Sequence, residues 1–103
     1  MLNDKTIEAI GAFNKARGWD QYHNGKDLAL SLSLEAAELL EIYQWSGSDL
    51  DCLNKRDQIS EELADVLIYA IQIAQKYGLD LDDIVQSKIE KNAHKYPIGE
   101  TNK

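Results

Sequence analysis

The chain has 103 residues, and its 18 Asp and Glu residues outnumber its 11 Lys and Arg residues, giving a formal net charge of −7. Its composition, 44% apolar and 28% charged, is ordinary for a globular protein, and a chain of this length builds a single modest core. The acidic balance argues against nucleic acid backbones and anionic membranes as partners. We therefore expect a single domain over residues 1–103, with residues 97–103 as a frayed tail and with neither a nucleic acid nor a membrane as partner.

The cysteine content and the apolar segments bear on the compartment. Cys52 is the only cysteine, so an intramolecular disulfide is excluded, which fits a reducing environment. Residues 1–11 show no basic segment followed by a long apolar one, so we expect no signal peptide. The longest strongly apolar run, around residues 66–74, is too short to cross a bilayer. These features predict a cytoplasmic protein.

The pattern of apolar residues predicts four helices, and no strand-like alternation of useful length is present. Pro97 is the only proline, so the chain before it is free to be helical. Asn3 or Asp4 caps the first helix, and Gly18 and Gly78 end the first and third helices. The predicted helices are Asp4–Arg17, Asp27 or Leu28 to Trp45, Asp57–Tyr77 and, after the cap Asp80, a helix up to Lys95, with a loop or short helical turn over residues 50–57.

Two acidic pairs with the same spacing are the most informative feature of the chain. Glu35 and Glu38 lie in SLSLEAAELLEIYQW, and Glu62 and Asp65 lie in ISEELADVLIYAIQIA. Residues three apart share a helix face, so packing these two faces together would converge four carboxylates. Four carboxylates in apolar surroundings require a counter-charge. Oxygen ligands favour Mg²⁺, for which Mn²⁺ can substitute.

The surroundings of each pair distinguish a site from a solvated surface. On a helical wheel, Glu35 and Glu62 lie within apolar stripes, whereas Glu41 and Glu61 point away from them. A single acid on an apolar face is as well explained by a chance polar residue or a buried ion pair, but the same arrangement twice favours a metal site. The apolar neighbours are Leu28, Leu32, Leu39 and Ile42 around Glu35, and Ile59, Val66, Tyr69 and Ile73 around Glu62.

The fourth helix offers groups that suit phosphate. Lys88, Asn92 and Lys95 share one face because they are spaced by four and three residues, and Tyr96 is adjacent. Lysine binds phosphate as a point charge, and asparagine adds an amide donor. A solvated basic stripe near a helix carboxyl end is the alternative interpretation of the same residues.

The second and third helices have more apolar surface than one small chain can cover. In the third helix, Leu63, Leu67 and Ile68 face away from the side of Glu62. A helix that is apolar on most sides is buried on most sides. We therefore expect self-association, as a homodimer or a tetramer, with helices from different subunits packed together.

The ordered set of motifs resembles the all-α MazG-like nucleotide pyrophosphohydrolases, and in particular their dCTP-pyrophosphatase-like branch. The set is E-x-x-E, then E-x-x-D, then K-x-x-x-N-x-x-K-Y-P, preceded by R-G-W, Y-H and L-A-L-S-L, and it covers residues 17–97. At Leu34 many MazG domains have a further acid, and this departure points away from the longer MazG proteins. The resemblance implies an all-α, four-helix MazG-like bundle completed by oligomerisation.

The resemblance also implies a reaction, in which a nucleoside triphosphate is cleaved with Mg²⁺ between its α and β phosphates, giving a monophosphate and pyrophosphate. Such a reaction serves the removal of non-standard or excess pyrimidine nucleotides. Glu38 or Glu35 would also orient the attacking water. The implied site comprises catalytic metal ligands Glu35, Glu38, Glu62 and Asp65, phosphate-binding Lys88, Asn92, Lys95 and Tyr96, and base-binding Trp19, His23 and Trp45.

Other interpretations of the same residues stay open. Trp19 and Trp45 are also compatible with packing at the ends of the bundle, and His23 with a structural role in its loop. An all-α dUTPase or a phosphoribosyl-ATP pyrophosphohydrolase would share the metal site. A metal-binding helical oligomer without catalysis belongs to a different class. A ferritin-like iron site is disfavoured because neither acidic pair is E-x-x-H.

Overall fold

The computed structural model describes residues 2–99, which form four helices and no strand. The predicted all-α class is therefore confirmed, and no helix in this range is long and apolar enough to cross a bilayer. Part of the predicted tail, residues 100–103, lies outside the described residues. The helices are α1 (Asp4–Ala16), α2 (Gly25–Gln44), α3 (Arg56–Lys76) and α4 (Leu81–Lys95), with short 3₁₀ helices at Asp20–Tyr22 and Leu53–Lys55.

The helix starts follow side-chain capping. Asn3 and Asp80 each accept a hydrogen bond from the backbone N–H three residues on, at 2.9 and 3.0 Å, as their positions predicted. The prediction for α2 began too late. Asn24 accepts a hydrogen bond from the backbone N–H of Asp27 at 2.8 Å, so the helix already starts at Gly25. The low helix propensity of glycine hid this start in the sequence.

The ends of α1 and α3 use the same closing motif. Gly18 and Gly78 have φ values of +68° and +64°, which glycine adopts without strain. Next to Gly18, the backbone N–H of Trp19 donates to the carbonyl oxygen of Asn14 at 2.9 Å, and the equivalent bond at the end of α3 measures 2.8 Å. These bonds are those of Schellman motifs. The motif fixes Trp19 directly beyond the end of α1.

The helices α2 and α3 form an antiparallel hairpin, the most extensive helix pair of the fold. The start of α2 meets the end of α3, where a Cβ atom on Gly25 would collide with the hydroxyl group of Tyr77. At the other end of the hairpin, the Nζ atom of Lys55 donates to the carbonyl oxygen of Ile42 at 3.4 Å. Glycine at position 25 thus leaves room for the phenol ring of Tyr77 against the start of α2.

The core of the described residues is small and follows this hairpin. Its fully buried apolar side chains are Leu28 on α2, Ile71 and Ala74 on α3, and Cys52 in the connecting loop. Cys52 has φ +50°, and its thiol donates to the carbonyl oxygen of Asp49 at 3.5 Å. The buried thiol thereby closes the loop that connects α2 to α3.

The chain is more open than a monomer of its size. Its accessible surface is 8384 Å², whereas about 5,800 Å² is expected for a folded monomer of this mass. Its radius of gyration is 16.8 Å, against about 13 Å for a compact domain of this length. As predicted, α2 and α3 expose apolar side chains, and α4 does so too. The exposed residues include Leu30, Leu34 and Leu40 on α2, Leu63 and Leu67 on α3, and Ile84, Val85 and Ile89 on α4.

Candidate active site

The hairpin brings the two acidic pairs together. Carboxylate oxygens of Glu35, Glu62 and Asp65 lie within 4.8 Å of one another. Glu38 lies close enough to Glu35 and Glu62 for its charge to raise the pKa of both carboxyl groups. The convergence follows from the three-residue spacing within each helix and from the antiparallel packing of α2 on α3. We call these four residues the carboxylate cluster.

The carboxylate cluster cannot hold four negative charges without cost. Burial raises the pKa of Glu35 from 4.5 to about 7, with further contributions from its hydrogen bond to Glu38 and from the charges of Glu38, Asp65 and Glu62. The pKa of Glu62 is also raised, first because its protonated form donates to Glu38, then by burial and by the charges of Glu38 and Asp65. Without a cation, the cluster therefore retains protons that isolated carboxyl groups would release.

The unpaired atoms of the cluster fit a divalent cation. The Oε2 atoms of Glu35 and Glu62 are buried and have no hydrogen-bond partner in the described structure. Buried acceptors without partners are costly, and ionised ones more so. The cluster offers only carboxylate oxygens, which suit Mg²⁺ or Mn²⁺ better than the softer metals that prefer thiolate or imidazole. The residues present therefore fit the cation that the sequence predicted.

Two cavities of opposite character adjoin the carboxylate cluster. The first, which we call the apolar cavity, has a volume of about 580 Å³ and is lined mainly by apolar side chains of α1 and α3, such as Phe13 and Ile68. Glu35 and Asp65 also line it, so a ligand in this cavity reaches the cluster. Its volume lies within the range of small-molecule sites.

The second cavity, which we call the polar groove, has a volume of about 510 Å³ and contains Glu38 and Glu62 of the cluster. Glu41 and Glu61, predicted to point away from the cluster, are exposed but also line this groove. Lys55, which belongs to none of the sequence motifs, lines it as well. Lys55 ends the short 3₁₀ helix Leu53–Lys55 and lies outside the four predicted helices, so helical periodicity did not indicate its position.

The three predicted base-binding residues occupy different places. Trp19 lines the apolar cavity, and its ring meets that of Phe13 edge to face, with centroids 5.6 Å apart. Trp45, next to the end of α2, is 87% exposed and therefore does not pack in the core of a single chain. Neither Trp45 nor His23 lines either cavity. A single chain thus places only Trp19 near the cluster.

The predicted phosphate-binding residues also lie apart from the cluster. Lys88, Asn92 and Lys95 are exposed on α4, and none of them lines the apolar cavity or the polar groove. The Nζ atom of Lys95 lies 5.3 Å from the ring centroid of Tyr96, which directly follows α4. Within one chain, these residues therefore form a separate basic end of α4.

Comparisons with known proteins agree with this architecture. The model of the MazG-like family matches residues 30–103. The chain is 36% identical to dCTP pyrophosphatase 1 of Mus musculus and 37% identical to that of Homo sapiens, over 92% and 91% of its length. It spans about three fifths of these curated relatives, 61% of each. It also resembles the crystal structure of a pyrophosphatase from Archaeoglobus fulgidus, with a TM-score of 0.85 and 38% identity over 91% of both chains.

Proposed function

The chain belongs to the MazG-like family, and on this premise we propose that it is a nucleoside triphosphate pyrophosphohydrolase. The proposed reaction cleaves a ribo- or deoxyribonucleoside triphosphate between its α and β phosphates and releases a nucleoside monophosphate and pyrophosphate. The likeness to dCTP pyrophosphatases supports nucleotides as the substrate class. Because the chain spans only part of those relatives, the proposed reaction rests on the site of the chain itself.

The observation that carries the proposal is the place of the carboxylate cluster between two unlike cavities. The apolar cavity touches the cluster through Glu35 and Asp65, and the polar groove touches it through Glu38 and Glu62. A nucleotide has a comparable division, with a flat aromatic base at one end and a charged phosphate chain at the other. A base in the apolar cavity would direct its phosphates across the cluster into the polar groove.

The cluster would hold Mg²⁺ through Glu35, Glu38, Glu62 and Asp65. When bound, the cation would polarise a phosphoryl oxygen and offset the charge that develops there. Among these residues, we assign Glu38 the role of orienting the attacking water. Glu38 is exposed and faces the polar groove, whereas Glu35 faces the apolar cavity, from which a bound base would exclude water.

Binding of the phosphates requires more positive charge than one chain places at the polar groove. Glu41 and Glu61 line the groove together with the cluster acids, and Lys55 is the only basic residue among its lining residues. The chain also exposes about 2,500 Å² more surface than a compact monomer of its mass. We therefore propose a homodimer or tetramer in which α4 of a second copy brings Lys88 and Asn92 to the groove.

The test is hydrolysis of a panel of ribo- and deoxyribonucleoside triphosphates, including dUTP, with phosphoribosyl-ATP added to the panel. The wild-type chain is compared with Glu62→Gln in the presence of Mg²⁺ or EDTA. We expect Mg²⁺-dependent release of pyrophosphate by the wild type alone. Binding of Mg²⁺ without turnover of any substrate would instead identify a non-catalytic metal-binding oligomer. Exclusive turnover of dUTP or phosphoribosyl-ATP would assign the chain to one of those related activities.

A further inference from the structure

The apolar cavity contains two buried amide side chains that the proposed mechanism does not use. Asn14 and Gln72 are 8% and 7% exposed and are the buried polar residues of the described chain. Asn14 lines the cavity from α1, and Gln72 lines it from α3. Polar groups inside an apolar cavity fix the orientation of a ligand because the remaining wall offers no directional contact.

The two amide residues differ in whether the fold already uses their polar groups in hydrogen bonds. The backbone carbonyl of Asn14 accepts the hydrogen bond that closes α1, so this residue also serves the turn. The Oε1 atom of Gln72 is buried and has no hydrogen-bond partner in the described structure. An unpaired buried acceptor destabilises a fold unless a ligand or ordered water pairs with it. The Oε1 atom of Gln72 therefore lacks a partner, which residues 2–99 do not supply and which a ligand could provide.

The position of Gln72 relative to the carboxylate cluster fits the length of a nucleotide. Gln72 follows Asp65 by seven residues, or two helical turns, so the two side chains share one face of α3. Their separation along the helix axis is about 10 Å at the normal helical rise. A nucleotide whose reacting phosphate lies at the cluster would extend its sugar and base along the cavity toward this amide.

We propose that Gln72 selects the base of the substrate by accepting a hydrogen bond from an exocyclic amino group on the base edge, an inference that rests on the proposed function. The amide NH₂ group of Gln72 would donate to the neighbouring ring nitrogen, as amides do when they pair with an amino-bearing edge. Amino-bearing bases are thereby favoured over keto bases. In the amide orientation of the structure, a keto oxygen facing Oε1 would place two acceptors against each other, and a keto base would pair only with an inverted amide.

The informative variant is Gln72→Leu, which keeps the approximate size of the side chain and removes both hydrogen-bonding groups. If the amide serves the ligand, its loss should leave the melting temperature of the free protein unchanged or higher, because an apolar group replaces an unpaired acceptor. If the amide instead holds α1 on α3, the melting temperature should fall. Gln75→Leu is the matched control, since Gln75 lies on the same helix, is exposed and lines neither cavity.

The experiment measures kcat/KM for dCTP, dATP, dUTP and dTTP with Mg²⁺ for the wild type, Gln72→Leu and Gln75→Leu. The wild type should prefer dCTP and dATP. Gln72→Leu should reduce this preference by roughly three- to tenfold, the effect of losing a hydrogen bond, with the loss confined to the two amino-bearing substrates. Gln75→Leu should retain the preference. Calorimetric binding of dCMP and dUMP without metal provides the same comparison without turnover.

The inference is overturned if the wild type shows no preference for amino-bearing bases, if Gln72→Leu keeps the wild-type preference, or if Gln72→Leu loses stability and activity toward all four substrates equally. A failure of the proposed function has a different signature. In that case the wild type hydrolyses no triphosphate at all, and the dCMP and dUMP affinities alone then decide the role of Gln72.

Discussion

The α2–α3 hairpin and helix α4 differ in how far a single chain buries their apolar side chains and brings their polar side chains together. The hairpin contains most of the buried core and gathers the carboxylate cluster from residues on its two facing sides. Helix α4 has no buried residue and exposes both its apolar and its basic side chains. In the proposed enzyme, the hairpin of one chain would therefore hold the cation, whereas α4 of a second copy would bind the phosphates.

The largest expected effect comes from removing one charge of the carboxylate cluster in the hairpin. Glu62→Gln removes one cluster charge and should lower kcat/KM by on the order of 10³ or more, since a bound cation contributes several kcal/mol of charge stabilisation. The helical content should remain, because the change relieves repulsion among the carboxylates. Steady-state kinetics with Mg²⁺ and circular dichroism measure the two effects. Glu8→Gln, an exposed acid on α1 that lines neither cavity, serves as the control.

The next effect concerns α4. Lys88→Ala should lower turnover roughly ten- to hundredfold, the loss expected for a charge-assisted hydrogen bond. It should leave Mg²⁺ binding nearly intact, because Lys88 lies outside the carboxylate cluster. Calorimetry with Mg²⁺ and steady-state kinetics separate the two properties. An equal loss of metal binding would contradict the division of labour between the hairpin and α4.

Coexpressing Glu62→Gln with Lys88→Ala tests whether the two halves come from different copies. In a mixed dimer, one site would carry both defects and the other would carry neither. Activity of the isolated mixed dimer should then recover to about half of wild type, because one of the two sites in a two-fold symmetric dimer is intact. Mixed dimers isolated with two different affinity tags provide the sample. Activity no higher than the sum of the two variants would show that each site is built from one chain.

A smaller effect is expected at the end of α2. Trp45 is 87% exposed, so Trp45→Ala should leave the stability of the chain nearly unchanged. If a second copy uses this ring to stack the base, the nucleotide KM should rise by roughly five- to 150-fold, from about 1–3 kcal/mol of stacking. A fall in melting temperature without a change in KM would instead assign Trp45 to subunit packing.

The smallest expected effect is a dependence of stability on pH, which arises from Glu35 in the hairpin. Below pH 4.5, Glu35 is protonated in both the folded and the unfolded chain. The pKa of Glu35 is about 7 in the folded chain. Between pH 4.5 and 7, therefore, the unfolded chain releases this proton and the folded chain retains it, which favours unfolding. The metal-free protein should therefore lose stability between pH 4.5 and 7. Thermal melts in EDTA should show this slope for the wild type and a weaker slope for Glu35→Gln. Adding Mg²⁺ at pH 7.5 should restore the lost stability of the wild type.

The parts predictable from sequence are those governed by local rules. Helical periodicity and the caps Asn3 and Asp80 fix most helix bounds, and the three-residue spacing of the acidic pairs places both on facing sides of α2 and α3. The polar groove was not predictable in the same way. Lys55 reaches it from the short 3₁₀ helix before α3, and Glu61 lines it although the helical wheel directs that side chain away from Glu62.

The buried amides were also absent from the sequence prediction, and for a different reason. Gln72 lies among helix-forming residues and carries no motif of its own. Gln72 lines a cavity that α1 and α3 form together, a long-range arrangement that periodicity does not specify. The role proposed for Gln72 therefore rests on the cavity rather than on a sequence pattern.

The most direct test of the central claim is phosphorus NMR of the wild-type reaction with Mg²⁺ and a nucleoside triphosphate. A carboxylate cluster between a base cavity and a phosphate groove should release the leaving phosphates as one unit. The first products should therefore be pyrophosphate and a nucleoside monophosphate, and both should be absent with Glu62→Gln. Orthophosphate and a nucleoside diphosphate as first products would contradict the assigned reaction.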